Sequence, residues 1–299
     1  MRRFTAALAC LVLACLASLA TAAERVPADC RWVVHADLQL MLRTRVGEWL
    51  GREMVKQPHA ARLKMLEAIS GLNLKRDLRN VTICGIGSDD DSGLLYVRGT
   101  FDAERLNTLA QAADGYAAVQ AGSRTIHTWL DKGKPAAGCL AAADLLILGK
   151  SSARLREALD LLDAPTQPGA AFQLPAGWEK SALVVCAAED LAALADGKPE
   201  SAMLRNVRSL VARVVEDGAL LALEARAVAT TEAAAQQMVD AGRGLAAIVQ
   251  LQKPANLDPA LIETVRTGQL NREGVNVSLR LSVPFEDALR LVQQGKKAE

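Results

Sequence analysis

The sequence predicts an α+β protein: two diverged α+β halves with antiparallel sheets and with helices packed on one face. Three observations carry this. Hairpin signals separate short apolar runs, and consecutive hairpins mean antiparallel pairing. A helical stretch follows each hairpin. Finally, a passage recurs in register. Leu78-Arg79-Asn80-Val81 returns as Leu204-Arg205-Asn206-Val207, and at the same offset Asp91 matches Asp217 and Leu94-Leu95 matches Leu220-Leu221. Three features at one offset indicate an internal repeat.

The elements follow in order. Trp32–Asp37 and Leu183–Ala188 are short apolar runs with β-branched residues and open the two halves as buried strands. Helical stretches over Leu38–Met54 and Ala60–Leu72 follow in the first half, with Pro58 as the break between them. Residues 190–203 are the shorter counterpart in the second. Strands Val81–Gly87 and Leu94–Thr100 flank the turn-rich Ser88–Gly93. Val207–Val215 and Ala219–Ala229 flank Glu216-Asp217-Gly218, where Asp-Gly is a hairpin signal. Helices Ala103–Ala113 and Glu232–Leu251 come next, capped by Asp102 and by Thr230 or Thr231. The first half then continues with strands Thr125–Leu130 and Gly138–Leu148 and a helix Ala153–Leu162 behind Ser151-Ser152. The second half ends with helix Pro259–Thr267, strand Val275–Val283 and helix Phe285–Gln293. In that strand Asn276, Ser278, Arg280 and Ser282 alternate with Val277, Leu279, Leu281 and Val283, the pattern of a strand wet on one face.

Domain boundaries follow from composition. Residues 1–23 read as a secretory signal peptide: Arg2-Arg3, an apolar run from Phe4 to Leu19, then Ala20-Thr21-Ala22-Ala23. The run is shorter than the ~20 residues a membrane-crossing helix needs. Cys15 lies inside it behind a poor lipid-attachment box. The first half spans 24–163 and the second 179–299. Between them, 164–178 is a linker with Pro165, Pro168, Gly169, Pro175 and Gly177. Export with cleavage near Ala22–Glu24 places the mature chain in the periplasm or outside the cell, with no membrane span left.

Composition removes several classes of function. Losing residues 1–23 leaves 33 basic residues against 34 acidic ones, so the mature chain is nearly neutral. It carries no electrostatic footprint for nucleic acid or anionic lipid. Half of the residues are hydrophobic (51%) but only 3% are aromatic, which argues against sugar-stacking sites. Cys30, Cys84, Cys139 and Cys186 remain after cleavage, an even number that allows three pairings in an oxidising compartment.

The passages "LRNV…GLLYVRGTFDAERL", "DLLILGKSSARLREALDLL" and "REGVNVSLRLSVPFEDAL" make the mature chain resemble a loose group of exported bacterial proteins of unknown function with tandem α+β halves. The resemblance implies that architecture and brings no chemistry with it.

No nucleophile elbow, zinc motif, phosphate loop or dinucleotide fingerprint is present. His35 and His127 fall in expected strands, and with Asp37 they form the best metal or acid–base candidate if they converge. As ordinary strand residues they form none. Asp89-Asp90-Asp91 reads as a solvated turn, since calcium loops space their ligands. Ser151-Ser152 reads as a cap. No catalytic, cofactor or metal residue is assigned. The expected role is that of a non-enzymatic envelope protein that binds a partner protein or a small apolar ligand. The alternatives are an exported hydrolase with an unrecognised site and an apolar-ligand carrier.

Overall fold

A computed structural model describes residues 25–54, 56, 59–87, 90–164, 169, 172, 174–175, 178–194, 204–251 and 258–298. The expected signal peptide lies outside the described residues, as does much of the Pro-rich linker.

The first half runs β1 (Trp32–Asp37), α1 (Leu38–Met41), α2 (Arg45–Met54), α3 (His59–Ser70), α4 (Leu74–Asp77), β2 (Leu78–Gly85), β3 (Leu94–Gly99) and α5 (Ala103–Gln111). It continues with β4 (Ala117–Ala121), β5 (Arg124–Asp131), β6 (Lys134–Ala142), β7 (Leu145–Gly149) and α6 (Ser152–Asp163). The second half contains α7 (Trp178–Ser181), β8 (Val184–Glu189), α8 (Leu191–Leu194), β9 (Val207–Asp217), β10 (Leu220–Ala229) and α9 (Glu232–Leu251). It closes with α10 (Pro259–Thr267), β11 (Gln269–Glu273), β12 (Asn276–Pro284) and α11 (Phe285–Ala298).

All described strands join one antiparallel sheet, in the order β11-β12-β10-β9-β8-β1-β2-β3-β7-β6-β5-β4. The seam between the halves is β1 against β8, with Val33 opposite Ala187. Cross-strand partners share a face of the sheet. The row Val211, Ala187, Val33, Cys84 and Leu94 therefore runs side by side across β9, β8, β1, β2 and β3. All five belong to one buried cluster that also holds Leu155 and Leu159 of α6 and Trp178 of α7. The hydrophobic core is thus continuous across the seam.

The strand–turn–strand–helix order is the same in β2–β3–α5 and β9–β10–α9. Leu94 and Leu220 both begin the second strand of their hairpin. Gly218, at φ 59°, forms the second hairpin turn, a backbone conformation that glycine adopts without penalty. Asp102 and Ser151 cap α5 and α6, accepting from the backbone N–H of Arg105 (3.0 Å) and Arg154 (3.4 Å). Thr231 caps α9, accepting from Ala234 N at 3.0 Å.

The α+β class holds, and the helices divide between the two faces. Residues that alternate with the buried row point to the other side. There α5 lies over Thr125, His127, Leu140 and Leu146, and α9 packs Ala234, Ala235 and Val239 on Ala229 and Val277. Helix α6 crosses the opposite side, with Leu155, Ala158 and Leu159 on Cys139, Leu145 and Ile147. Strand β7 is apolar on both sides, Leu145 and Ile147 one way and Leu146 and Leu148 the other. Both sides need a cover.

Element boundaries differ from expectation where the signal is weak. The expected strand Gly138–Leu148 is two strands, β6 and β7, hinged at Ala143-Asp144. The Asp144 carboxylate is held there by Arg79 (2.7 Å) and Arg98 (2.9 Å). The expected helix Leu38–Met54 is α1 and α2, parted by a turn at Leu42–Thr44. Edge strands β4 and β11 escape the sequence reading altogether. Solvent meets both sides of an edge, so Ala117–Ala121 and Gln269–Glu273 carry no apolar alternation.

Candidate functional site

The expected polar candidates are separated by the sheet. His35 sits on the α6 side of β1, its Nδ1 2.8 Å from Thr82 Oγ1. His127 sits on the α5 side of β5, five strands away, a span of roughly 24 Å at the usual strand spacing. It stacks on Tyr116 with ring centroids 5.9 Å apart, and its Nδ1 lies 3.1 Å from the tyrosine hydroxyl. Burial pushes the His127 pKa down. Asp37 is spent as a helix cap, accepting from Leu40 N at 2.8 Å. The two histidines and Asp37 do not converge. Of the Asp89–Asp91 run, Asp89 lies outside the described residues, and Asp91 pairs with Lys150 at 3.7 Å. Ser151 is a cap. Among the described residues no three His, Cys, Asp or Glu side chains are arranged to hold a metal ion.

Two hollows lie in the second half, on opposite sides of the sheet. On the α6 side a polar cleft of about 1140 Å³ opens over Arg208, Ser209, Arg226, Asn276 and Ser278, with Glu189 at its edge. Burial raises the Glu189 pKa. Beside the cleft, Arg213 and Arg226 lie over the Trp178 ring, at 4.9 and 5.4 Å from its centroid. Arg213 and Arg280 both pair with Glu224 at 2.8 Å. Neither His35 nor His127 lines this cleft. Across β8 and β9 Ser209 stands opposite Glu189, so a carboxylate neighbours one of the cleft's hydroxyls.

The second hollow lies between the sheet and helices α9 and α10, with a volume of about 560 Å³. Its floor is the apolar row of β12, Val277, Leu279 and Leu281, with Ala225 and Ala227 of β10 and Leu210 of β9. Leu270 of β11 closes one end. Met238, Leu245, Ala246 and Val249 of α9 and Val265 of α10 form the walls. The volume falls within the ~300–1,000 Å³ typical of small-molecule pockets. Gly242 lets α9 approach β11, since a methyl group there would stand 2.6 Å from Leu270 Cδ2. Two cations flank the hollow. Arg266 is paired with Glu263 at 2.6 Å, whereas Arg243 is exposed and pairs with no carboxylate among the described residues.

The C-terminal half of α9 explains why the hollow stays open. Its first turns bury Ala234, Ala235 and Val239. Beyond Gly242 the apolar residues outnumber the positions the sheet can cover. Leu245, Ile248 and Leu251 remain 63%, 56% and 84% exposed. Exposed apolar clusters of this kind mark binding surfaces. The sequence held a signal for this. "GLAAIVQL" puts apolar residues on more than one helical face, where a helix resting on a sheet needs only one.

No protein family and no curated protein matches the chain. Solved structures of TP0453 are similar in outline. Crystal form IV matches with a TM-score of 0.49 at 10% identity over 90% of this chain and 97% of that one. Crystal form I gives 0.47 at 12% identity over 91% and 98%. These likenesses are too distant to bear on function. No described helix is long and apolar enough to cross a membrane.

Proposed function

We propose that this protein is an exported, non-enzymatic binding module of the cell envelope that holds a small apolar ligand between α9, α10 and the sheet. The hollow of about 560 Å³ beneath α9 carries this reading. Its lining is aliphatic nearly throughout, so it favours hydrocarbon over water. Each methylene transferred from water into it contributes about 0.8 kcal/mol. Arg243 at the rim suits an anionic head group. The occupant that fits is a single-chain amphiphile such as a long-chain fatty acid. The signal-like residues 1–23 and the resemblance to exported bacterial proteins support the envelope setting.

The test is displacement of a fluorescent anthroyloxy-stearate probe by palmitate. Saturable binding is expected. Ala246→Trp, which fills the hollow, should weaken it at least about tenfold, the equivalent of ~1.4 kcal/mol. Arg243→Gln should weaken palmitate about two- to five-fold and leave hexadecanol unchanged. Non-saturable uptake, or full binding by a folded Ala246→Trp variant, overturns the ligand reading. Export is checked by N-terminal sequencing of envelope material. A start at Ala23 or Glu24 supports it, and an intact Met1 on cytoplasmic protein refutes it.

A further inference from the structure

We infer that Cys30 and Cys84 form an intramolecular disulfide that fastens the N-terminal segment to the centre of the sheet. Their Sγ atoms are 3.4 Å apart, and both residues are buried, at 5% and 0% exposure. Cys84 belongs to β2 beside Val33, and Arg31 N donates to Gly85 O at 2.9 Å, so backbone pairing holds the two cysteines in register. The other pairings are closed by the sheet. Cys139 lies on β6, three strands from Cys84, roughly 14 Å away at normal strand spacing. Cys186 lies on β8 opposite Val34, so it projects to the face away from Cys84. A disulfide needs Cβ atoms about 4 Å apart, which excludes both.

The surroundings favour exchange at Cys30. Its thiol pKa is lowered, first by the Cys84 hydrogen bond and then by the nearby Arg154 guanidinium. Arg154 Nη2 lies 3.6 Å from Cys30 Sγ, and its Nη1 donates to Asp29 Oδ2 at 2.8 Å. The Cys84 thiol pKa is raised, by its bond to Cys30 and by burial. The oxidant is a small disulfide such as oxidised glutathione or the disulfide of a thiol oxidoreductase. The Cys30 thiolate attacks one of its sulfurs and expels the other as a thiolate. The Cys84 thiol then loses its proton and attacks the mixed disulfide at the Cys30 sulfur. Two protein thiols are oxidised, and one oxidant disulfide is reduced to two thiols. Burial makes this a folding-time reaction.

The full chain is reduced, unfolded, refolded in a glutathione redox buffer, alkylated in denaturant and digested without reductant. The expected product is a single cross-linked peptide joining Cys30 to Cys84, with Cys139 and Cys186 alkylated. The oxidised protein should melt roughly 5–10 °C above the reduced one. Cys30→Ser and Cys84→Ser should each remove that difference. Should either variant fail to fold, the Cys139→Ser/Cys186→Ser double variant must still give the link. Recovery of Cys30 and Cys84 both alkylated, bound to glutathione, or joined to any other cysteine overturns the inference.

Discussion

Strands β7 and β12 occupy corresponding places, each following its antiparallel neighbour through a tight turn and leading into a helix, yet the two regions around them are built differently. On β7 the α6 side carries Leu145 and Ile147, 1% and 0% exposed, and α6 closes over them. On β12 the same side carries Ser278, Arg280 and Ser282, and the ion pairs of Glu224 with Arg213 and Arg280 take the place of an apolar layer. The apolar residues of β12, Val277, Leu279 and Leu281, face the other side, where α9 and α10 cover them incompletely. The first half packs α6 densely on one side of the sheet and has a hollow of about 560 Å³ over Trp32, Ile83, Leu95 and Leu148. Strand β12, apolar on one side only, borders both the hollow beneath α9 and the polar cleft. The contrast between the two regions therefore comes from the polar–apolar alternation of β12, which β7 lacks.

The largest effect should come from the packed side. Leu159→Ala removes a side chain that is 1% exposed and should cost about 3 kcal/mol in urea unfolding, because the rigid surroundings leave a cavity. Val249→Ala on the hollow's wall should cost about 1 kcal/mol or less, since open space already adjoins it. Equal losses at the two sites would break the contrast.

A middle-sized effect is expected at the polar layer. Glu224→Gln strands Arg213, whose side chain is only 17% exposed, and should cost about 1–2 kcal/mol. Arg280→Gln at the wetter end of the same network should cost about 0.5 kcal/mol. If both are silent, the ion pairs do not hold that side of the sheet.

Caps should ignore the contrast. Ser151→Ala and Thr231→Ala each remove one cap acceptor, from α6 and α9 on opposite sides, and should each cost about 1 kcal/mol. A cost confined to one of them would show that packing over that helix, rather than its cap, sets its stability.

The smallest effect concerns His127. Burial lowers its pKa in the folded chain. The unfolded chain then binds more protons below about pH 6.5, so stability falls as pH drops through the window between the unfolded and folded pKa values. NMR titration of the folded protein should give a His127 midpoint below about 6.5. A midpoint above that value would contradict the burial argument.

The sequence by itself determined the α+β class, the Asp102 cap, the caps at Ser151-Ser152 and at Thr230 or Thr231, the Asp217-Gly218 hairpin and the wet and dry sides of β12. Those features depend on neighbours within a few residues, where turn chemistry, capping and two-residue alternation act. It missed β4 and β11, because an edge strand answers to its partner's backbone and not to its own side chains. Only the tertiary structure decided that the halves share one sheet through β1 and β8. It alone sent α6 and α9 to opposite sides, kept His35 from His127, and set Cys30 against Cys84. Each of these follows from pairing and packing between segments far apart in the chain, which no local pattern encodes.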